Sequence, residues 1–362
     1  MFTEVGLFVS IESEPIFRYH LNRSIGPLRN LWTYYNDIDL FSKSTHAKKI
    51  ACFQIPYPWN NSIESSIDAI YDQVDTIIIL GTELHSPIAN FIKKYDKSKI
   101  RYFIAGFIKT PLLNARVYNI LDWFQTTSYF YKNVRPSILH DLTPYKNKLL
   151  MFDALLGRKK PHREFAYNYI ASNNIKDQGI VTYFGENTSE VFTNDHSNWL
   201  WEHDGLEADD AIHWTVQLVT YYGYRMSLSQ VVPLAIYNKT AYSLVAETNF
   251  DNDYVFFTEK TVKPILGRRL FILLSHQHAL KRLRDLGFKT FDGIIDESYD
   301  DIEATDQRFQ SALDQLKWLC QQDQSTILPK LKSICDHNFD RMIGKDWHAD
   351  MDPPIKRILL NQ

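Results

Sequence analysis

Three cysteines in 362 residues, Cys52, Cys320 and Cys335, are too few and too widely spaced for a disulfide framework or a CxxC pair. A reducing compartment is the expectation. Basic charge is not in excess either: 40 Lys and Arg stand against 43 Asp and Glu, for a net charge of -3. That argues against a protein that coats nucleic acid through bulk charge, and leaves room only for a local basic patch. Long apolar runs are absent. The longest, IIIL at 77–80 and LFILL at 270–274, are strand-sized, well short of the ~20 residues of a membrane helix. The opening MFTEVGLFVSIESEP carries acids where a signal peptide carries basic groups. The expectation is a cytoplasmic chain with no membrane span, in which the sequons at Asn22, Asn60, Asn187 and Asn238 are chance matches. No G-x-G-x-x-G follows an expected strand, which disfavours a dinucleotide-dependent dehydrogenase or epimerase. Repeats and low-complexity tracts are absent too.

What is present is an ordinary globular mix, 44% hydrophobic and 23% charged, with an unusual 14% of aromatics. Aromatics at that level suit a thick core, and also suit flat sugar or base partners. At ~150 residues per domain the length points to two domains. In the first, VGLFVSI (5–11), KIACFQI (49–55), TIIIL (76–80) and RYFIAGFI (101–108) read as buried strands. SIESSIDAIYDQV (62–74) and PIANFIKKY (87–95) read as helices between them, the second with Pro87 as its first residue. Strand and helix alternate, as in a parallel sheet with crossovers.

Thr143-Pro144 reads as a linker, and a second alternating set follows. KLLMFDALL (148–156) is an expected strand, GRKKP (157–161) a turn, HREFAYNYIASNN (162–174) a helix and GIVTYF (179–184) a strand. Residues 185–210 read as a long irregular loop, and DAIHWTVQLVTYYG (210–223) as a helix. TAYSLVAET (240–248) and LFILLS (270–275) read as strands flanking a helix that starts near Thr258; HALKRLRDLG (278–287) is a further helix, and the pattern is helical from Asp300 to about residue 342. The expected organisation is 1–143 as an acceptor-side domain, 144–340 as a ligand-binding domain, and 341–362 as a tail reaching back to the first. In class this is α/β, two Rossmann-like domains facing each other across a cleft.

Two segments carry chemistry. In DYVFFTEKTVKP (253–264) Thr258 is an expected N-cap, which puts Glu259 and Lys260 in the first turn of a helix. Free N–H groups and the positive end of the dipole there suit phosphate oxygens. Lys260 adds a cation, and the Glu259 carboxylate suits the two hydroxyls of a ribose. The plainer reading is a capped helix start with both side chains solvated. In GRKKPHRE (157–164) Arg158, Lys159, Lys160, His162 and Arg163 crowd a strand-to-helix turn, where α/β folds place ligands. Arg163 has the planar fork for a diphosphate. The plainer reading here is a solvated basic turn. Gly267-Arg268-Arg269 reads as structural, its cations complementing a helix end.

The stretch ETNFDNDYVFFTEKTVKPILGRRLFILLS resembles the donor-sugar motif of the α1,3-fucosyltransferase family, strongly over 240–275 and more loosely over 148–300. Glu247-Thr248-Asn249 stands at that family's Glu-Asn-Ser turn, Thr258-Glu259-Lys260 match unchanged, and Phe256 stands where the family has tyrosine. Arg163 matches its upstream loop arginine. The resemblance implies a GT-B glycosyltransferase, with a UDP- or GDP-linked sugar held in the C-terminal domain by Arg163, Asn249, Phe256, Thr258, Glu259 and Lys260. It also implies no essential metal.

The remaining chemistry is read from position. Asp251-Asn252-Asp253 is the nearest approach to a DxD element, and with fixed cations at 158–163 and 260 no metal and no cofactor are expected. A catalytic base is expected from the first domain. Glu83 in LGTELHSP, at the carboxyl end of a strand, is the candidate, with Glu12 and Glu14 as rivals. His85, Asp195, His196 and Trp199 are candidates for acceptor binding, and His196 and His203 lack a third ligand for zinc. SHQH (275–278) reads as a polar turn. The functional expectation is an inverting sugar transfer from a nucleotide diphosphate sugar to a hydroxyl on a glycan. Two alternatives are transfer to a modified base of phage DNA, and a non-catalytic nucleotide-sugar-binding protein.

Overall fold

The structure is a computed structural model, and it describes residues 5–10, 32–55, 62–81, 88–109, 111–184, 191–193, 205–207, 218–250 and 254–360. The chain divides into two compact units. The first comprises Met1–Asp122, Asn252–Phe256 and Asp346–Gln362, and the second comprises Trp123–Asp251 and Phe257–Lys345. The chain passes from the first unit to the second at 122/123.

The first unit is built on a six-stranded sheet of β1 (Val5–Val9), β2 (Trp32–Tyr35), β3 (Lys48–Gln54), β4 (Thr76–Gly81), β5 (Ile100–Ala105) and β7 (Arg116–Ile120), in the order β2-β1-β3-β4-β5-β7. Every pairing in it is parallel. Its inner strands are apolar along their length because both faces are covered: Ile50, Ala51 and Cys52 of β3 and Ile77 to Ile79 of β4 are buried. Helices α1 (Ile38–Lys43), α2 (Ser62–Ile70) and α3 (Ile88–Lys94) fill the crossovers. The expected helical spacing holds for α2, where Ile63, Ile67 and Ile70 are buried. The run 101–108 is broken at Gly106, where φ is +115°, so β6 (Phe107–Ile108) leaves the sheet as a separate strand.

The second unit has a five-stranded sheet. Helix α4 (Asp122–Tyr129) leads toward β8 (Leu150–Arg158), α5 (Pro161–Ser172), β9 (Gly179–Phe184) and β10 (Val191–Thr193). Further on come the three short antiparallel strands β11 (Leu206–Glu207), β12 (Leu218–Tyr221) and β13 (Tyr224–Ser227), then α6 (Leu234–Lys239) and β14 (Thr240–Ala246). β15 (Tyr254–Val255) pairs antiparallel with β6 and belongs to the first unit. The second unit resumes with α7 (Glu259–Leu266), β16 (Phe271–Leu274), α8 (Ala279–Asp285), α9 (Thr305–Cys320) and α10 (Gln324–Gly344). The sheet order is β10-β9-β8-β14-β16, parallel except for β10. The chain moves outward from β8 through β9 to β10, then returns to lay β14 and β16 on the other side. The order therefore reverses between β8 and β14. All seven residues of β14 are buried, as befits an inner strand.

Two expectations are corrected. The helix expected over 210–223 is, in its described part, a β-hairpin. Val219 and Tyr221 are buried and alternate with more exposed neighbours, and Tyr222-Gly223 supplies φ values of +48° and +76° for a tight turn between β12 and β13. The turn expected at 157 begins later, since β8 continues through Gly157 and Arg158 past an irregularity in its pairing with β9. Gly157, at φ +66°, permits that bulge. Residues 288–296 form a loop with one isolated bridge from Asp292 to Ile295. The chain ends with α11 (Asp352–Leu360), which groups with the first unit. There Lys48 donates to the Ile358 carbonyl, and His348 Nε2 lies 2.9 Å from Asp122 Oδ1. Among the described residues no helix is long and apolar enough to cross a membrane.

Candidate functional site

The reversal between β8 and β14 makes the carboxyl ends of these two strands the switch point of the second sheet, where open α/β sheets receive ligands. The turn after β14 begins with Glu247, whose carboxylate has no exposure and no ion pair among the described residues. Four donors hold it: the Thr248 N–H at 3.1 Å, the Thr258 N–H at 3.0 Å, the Thr258 hydroxyl at 2.7 Å and the Thr261 hydroxyl at 2.5 Å. An isolated buried carboxylate is costly; charge-assisted bonds and the positive end of α7 offset that cost. The result is a pinned helix start. Thr258 is extended, with φ −118° and ψ −172°, and caps α7 by accepting from the Lys260 N–H.

Glu259 and Lys260 are not both solvated, which overturns the plainer reading of this turn. Glu259 is 4% exposed, and its Oε1 lies 2.6 Å from Lys260 Nζ. Burial alone would raise the Glu259 carboxyl, but the ammonium groups of Lys260 and Lys263 outweigh it and hold the acid below the usual carboxylate range. Lys260 also reaches the Thr248 hydroxyl at 3.1 Å and the Thr258 hydroxyl at 3.4 Å. Lys263, one turn on, is half-buried; burial pushes its ammonium down to about 8 against the opposing pull of Glu259.

The turn after β8 meets this helix start from the other strand. Lys160 Nζ donates to the Thr248 carbonyl at 2.8 Å, and His162 Nε2 lies 2.7 Å from the Glu247 carbonyl. A carbonyl only accepts, so Nε2 carries the proton and Nδ1 is left as a buried acceptor with no partner among the described residues. Burial, then the charge of Arg163, pushes the imidazole down to about 3, so it is neutral. Its ring centroid lies 4.4 Å from that of Phe250. Arg163 is 6% exposed, bonds the Arg158 carbonyl through Nη1 at 3.2 Å and leaves Nε buried without a partner among the described residues. Burial lowers its pKa while Glu259 and Glu247 act in the opposite direction, so all three side chains share one electrostatic environment. Lys160, Arg163, Lys260 and Lys263 therefore gather about two carboxylates, leaving a net positive cluster whose donors are not all used among the described residues.

The structure thus brings Arg163, Thr258, Glu259 and Lys260 together. Asn249 is buried in the same turn after β14, and Phe256 is buried in the first unit. Glu83 and His85, and Asp195, His196 and Trp199, lie outside the described residues, as do Glu12, Glu14 and Asp251-Asn252-Asp253. Among the described residues no group of three or more His, Cys, Asp or Glu could hold a metal ion. Three contributors carried little signal in the sequence. Glu247 was legible as an acid ending an apolar run and as the first residue of the family-like turn, with no sign of its own role; His162 only as one of five basic residues, and Lys263 only as a helix lysine.

No family model matches the chain, and no curated protein matches it. Two solved structures are similar over most of its length. One is an α1,3-fucosyltransferase, with 11% identity and a TM-score of 0.39 over 99% of this chain and 89% of that one. The other is T4 phage BGT in complex with its UDP-glucose substrate, with 12% identity and a TM-score of 0.41 over 99% of each chain. At these scores the likeness places no residue.

Proposed function

We propose that the protein is a glycosyltransferase of GT-B type that moves a sugar from a nucleoside diphosphate sugar, UDP- or GDP-linked, to an acceptor hydroxyl. The observation that carries this reading is the gathering of Arg163 and Lys260 around the Glu247 turn at the switch point of the second sheet. A helix start, a lysine and an arginine with an idle N–H make a seat for a diphosphate. Glu259 offers its carboxylate to the ribose.

In the reaction the acceptor oxygen attacks the anomeric carbon as the bond from that carbon to the diphosphate oxygen breaks. Arg163 and Lys260 stabilise the charge that builds on the departing diphosphate. Side chains supply that charge, so the reading needs no metal. Glu83 takes the acceptor proton, and attack on the face opposite the departing diphosphate inverts the anomeric centre. The acceptor is a glycan hydroxyl in this reading. A modified base in DNA is distinguished by binding that weakens steeply with salt.

The test is transfer and hydrolysis of labelled UDP- and GDP-sugars by the full chain and by Lys260→Ala. The wild type should turn over one donor, and the variant should lose about 10²- to 10³-fold of that rate while still folding, with a lowered melting temperature because Glu259 loses its cation. Near-normal turnover in the variant overturns the assignment. Donor binding without transfer or hydrolysis in the wild type points instead to a non-catalytic binding protein.

A further inference from the structure

We propose that Glu259 makes this site select a diphosphate that carries a ribose over free pyrophosphate, by occupying the Lys260 ammonium until ribose hydroxyls draw the carboxylate away. The inference rests on the nucleotide reading above and names a selectivity that reading does not contain. Adjacent residues on a helix do not ordinarily face each other. Here Lys260 folds back over the first turn, so that its Nζ meets Glu259 Oε1 at 2.6 Å and the hydroxyls of Thr248 and Thr258. The Glu259 side chain is only 5% exposed, so little water is available to replace the lysine.

An incoming phosphate oxygen therefore competes with a buried carboxylate for the same ammonium. If it wins, Glu259 is left as a buried charge without its cation, which is strongly unfavourable. Pyrophosphate cannot relieve this, because its oxygens are acceptors of the same sign. A ribose can, since its two vicinal hydroxyls donate to the two carboxylate oxygens. Lys260 is then released to the diphosphate, alongside Arg163, whose Nε is buried without a partner among the described residues. The same carboxylate rejects one anion and admits the other.

Calorimetric titration of the full chain with UDP, GDP and inorganic pyrophosphate tests this, in the wild type and in Glu259→Gln. The wild type should bind one nucleotide at least tenfold more tightly than pyrophosphate. In Glu259→Gln pyrophosphate should tighten at least threefold while the nucleotide weakens at least tenfold. Unchanged or weaker pyrophosphate binding in that variant overturns the proposal. If the variant fails to fold, the wild type decides the matter with the 2′,3′-dideoxy form of the bound nucleotide: affinity should drop to that of pyrophosphate, and affinity equal to the parent's overturns the proposal. A wild type that binds pyrophosphate but neither nucleotide overturns the nucleotide reading itself, and the ribose selectivity with it.

Discussion

Toward the amino end of the second sheet, the buried guanidinium of Arg269 donates to Asp153, to the hydroxyls of Ser243 and Thr240, and to the carbonyls of Tyr237, Thr240 and Tyr242, all at 2.7–3.0 Å. At the carboxyl end of the same sheet, the almost equally buried Arg163 makes one long bond to a carbonyl and leaves Nε idle. Both arginines are withdrawn from water, and only one is repaid inside the protein. A buried ion whose donors are all used is a structural joint. A buried ion with donors to spare, at a switch point and beside a capped helix start, is poised for something the chain does not itself supply. Position relative to the strand ends, rather than burial or charge, separates the two.

The largest expected effect breaks this contrast if it fails. Arg269→Met strands Asp153 among hydroxyls without its cation, and should cost about 3–5 kcal/mol of stability in urea denaturation. Arg163→Met removes a group that is incompletely bonded, and should change stability by less than about 1 kcal/mol while abolishing donor binding in a thermal-shift assay. Equal losses of stability in the two variants would show that Arg163 is structural as well.

His162 sharpens the comparison through pH. Its imidazole titrates near 3 in the folded chain against 6.5 unfolded, so between those values the unfolded state binds the extra proton. Stability therefore rises with pH through that window, and is lost as pH falls through it. From pH 7 to pH 5 the loss should be about 2 kcal/mol. His162→Gln keeps a donor for the Glu247 carbonyl without a titrating group, and should flatten that part of the profile in denaturation series at several pH values. An unchanged slope in the variant would assign the pH dependence to other groups.

The sequence made much of this legible, for reasons specific to each element. β3 and β4 are buried on both faces along their inner residues, so IACF and IIIL appear as unbroken apolar runs, and β14 is apolar but for Thr240 and Ser243. β2 and β7 lie at the edges of the first sheet and escaped notice; β7, with Arg116 exposed and Asn119 exposed, carries no such run. The pattern over 210–223 fits a helix because the aromatics of β12 and its turn fit either period, and the positive φ at Tyr222 and Gly223 decides for the turn of a hairpin. At the site, Thr258, Glu259 and Lys260 could be placed because one local rule, the N-cap, positions all three. The role of Glu247 could not, because its four donors come from Thr248, Thr258 and Thr261, and that convergence exists only once β14 and α7 are packed together.

The smallest expected effect tests that convergence by making the same change at both ends of the sheet. Thr240→Val removes a hydroxyl that bonds Asp153 and the Ile236 carbonyl and accepts from Arg269. Thr261→Val removes one of the four donors to Glu247. The shape is conserved in both, so each should cost about 1–2 kcal/mol through the polar partner left behind. They should part in binding. Thr240→Val should leave nucleotide affinity unchanged. Thr261→Val loosens the carboxylate that fixes the Thr258 N–H and hydroxyl, and with them the start of α7, so affinity should fall several-fold in calorimetric titration. Equal affinities in the two variants would mean that the Glu247 turn holds the helix without tuning it, and that the carboxyl end differs from the amino end only in what its cations can reach.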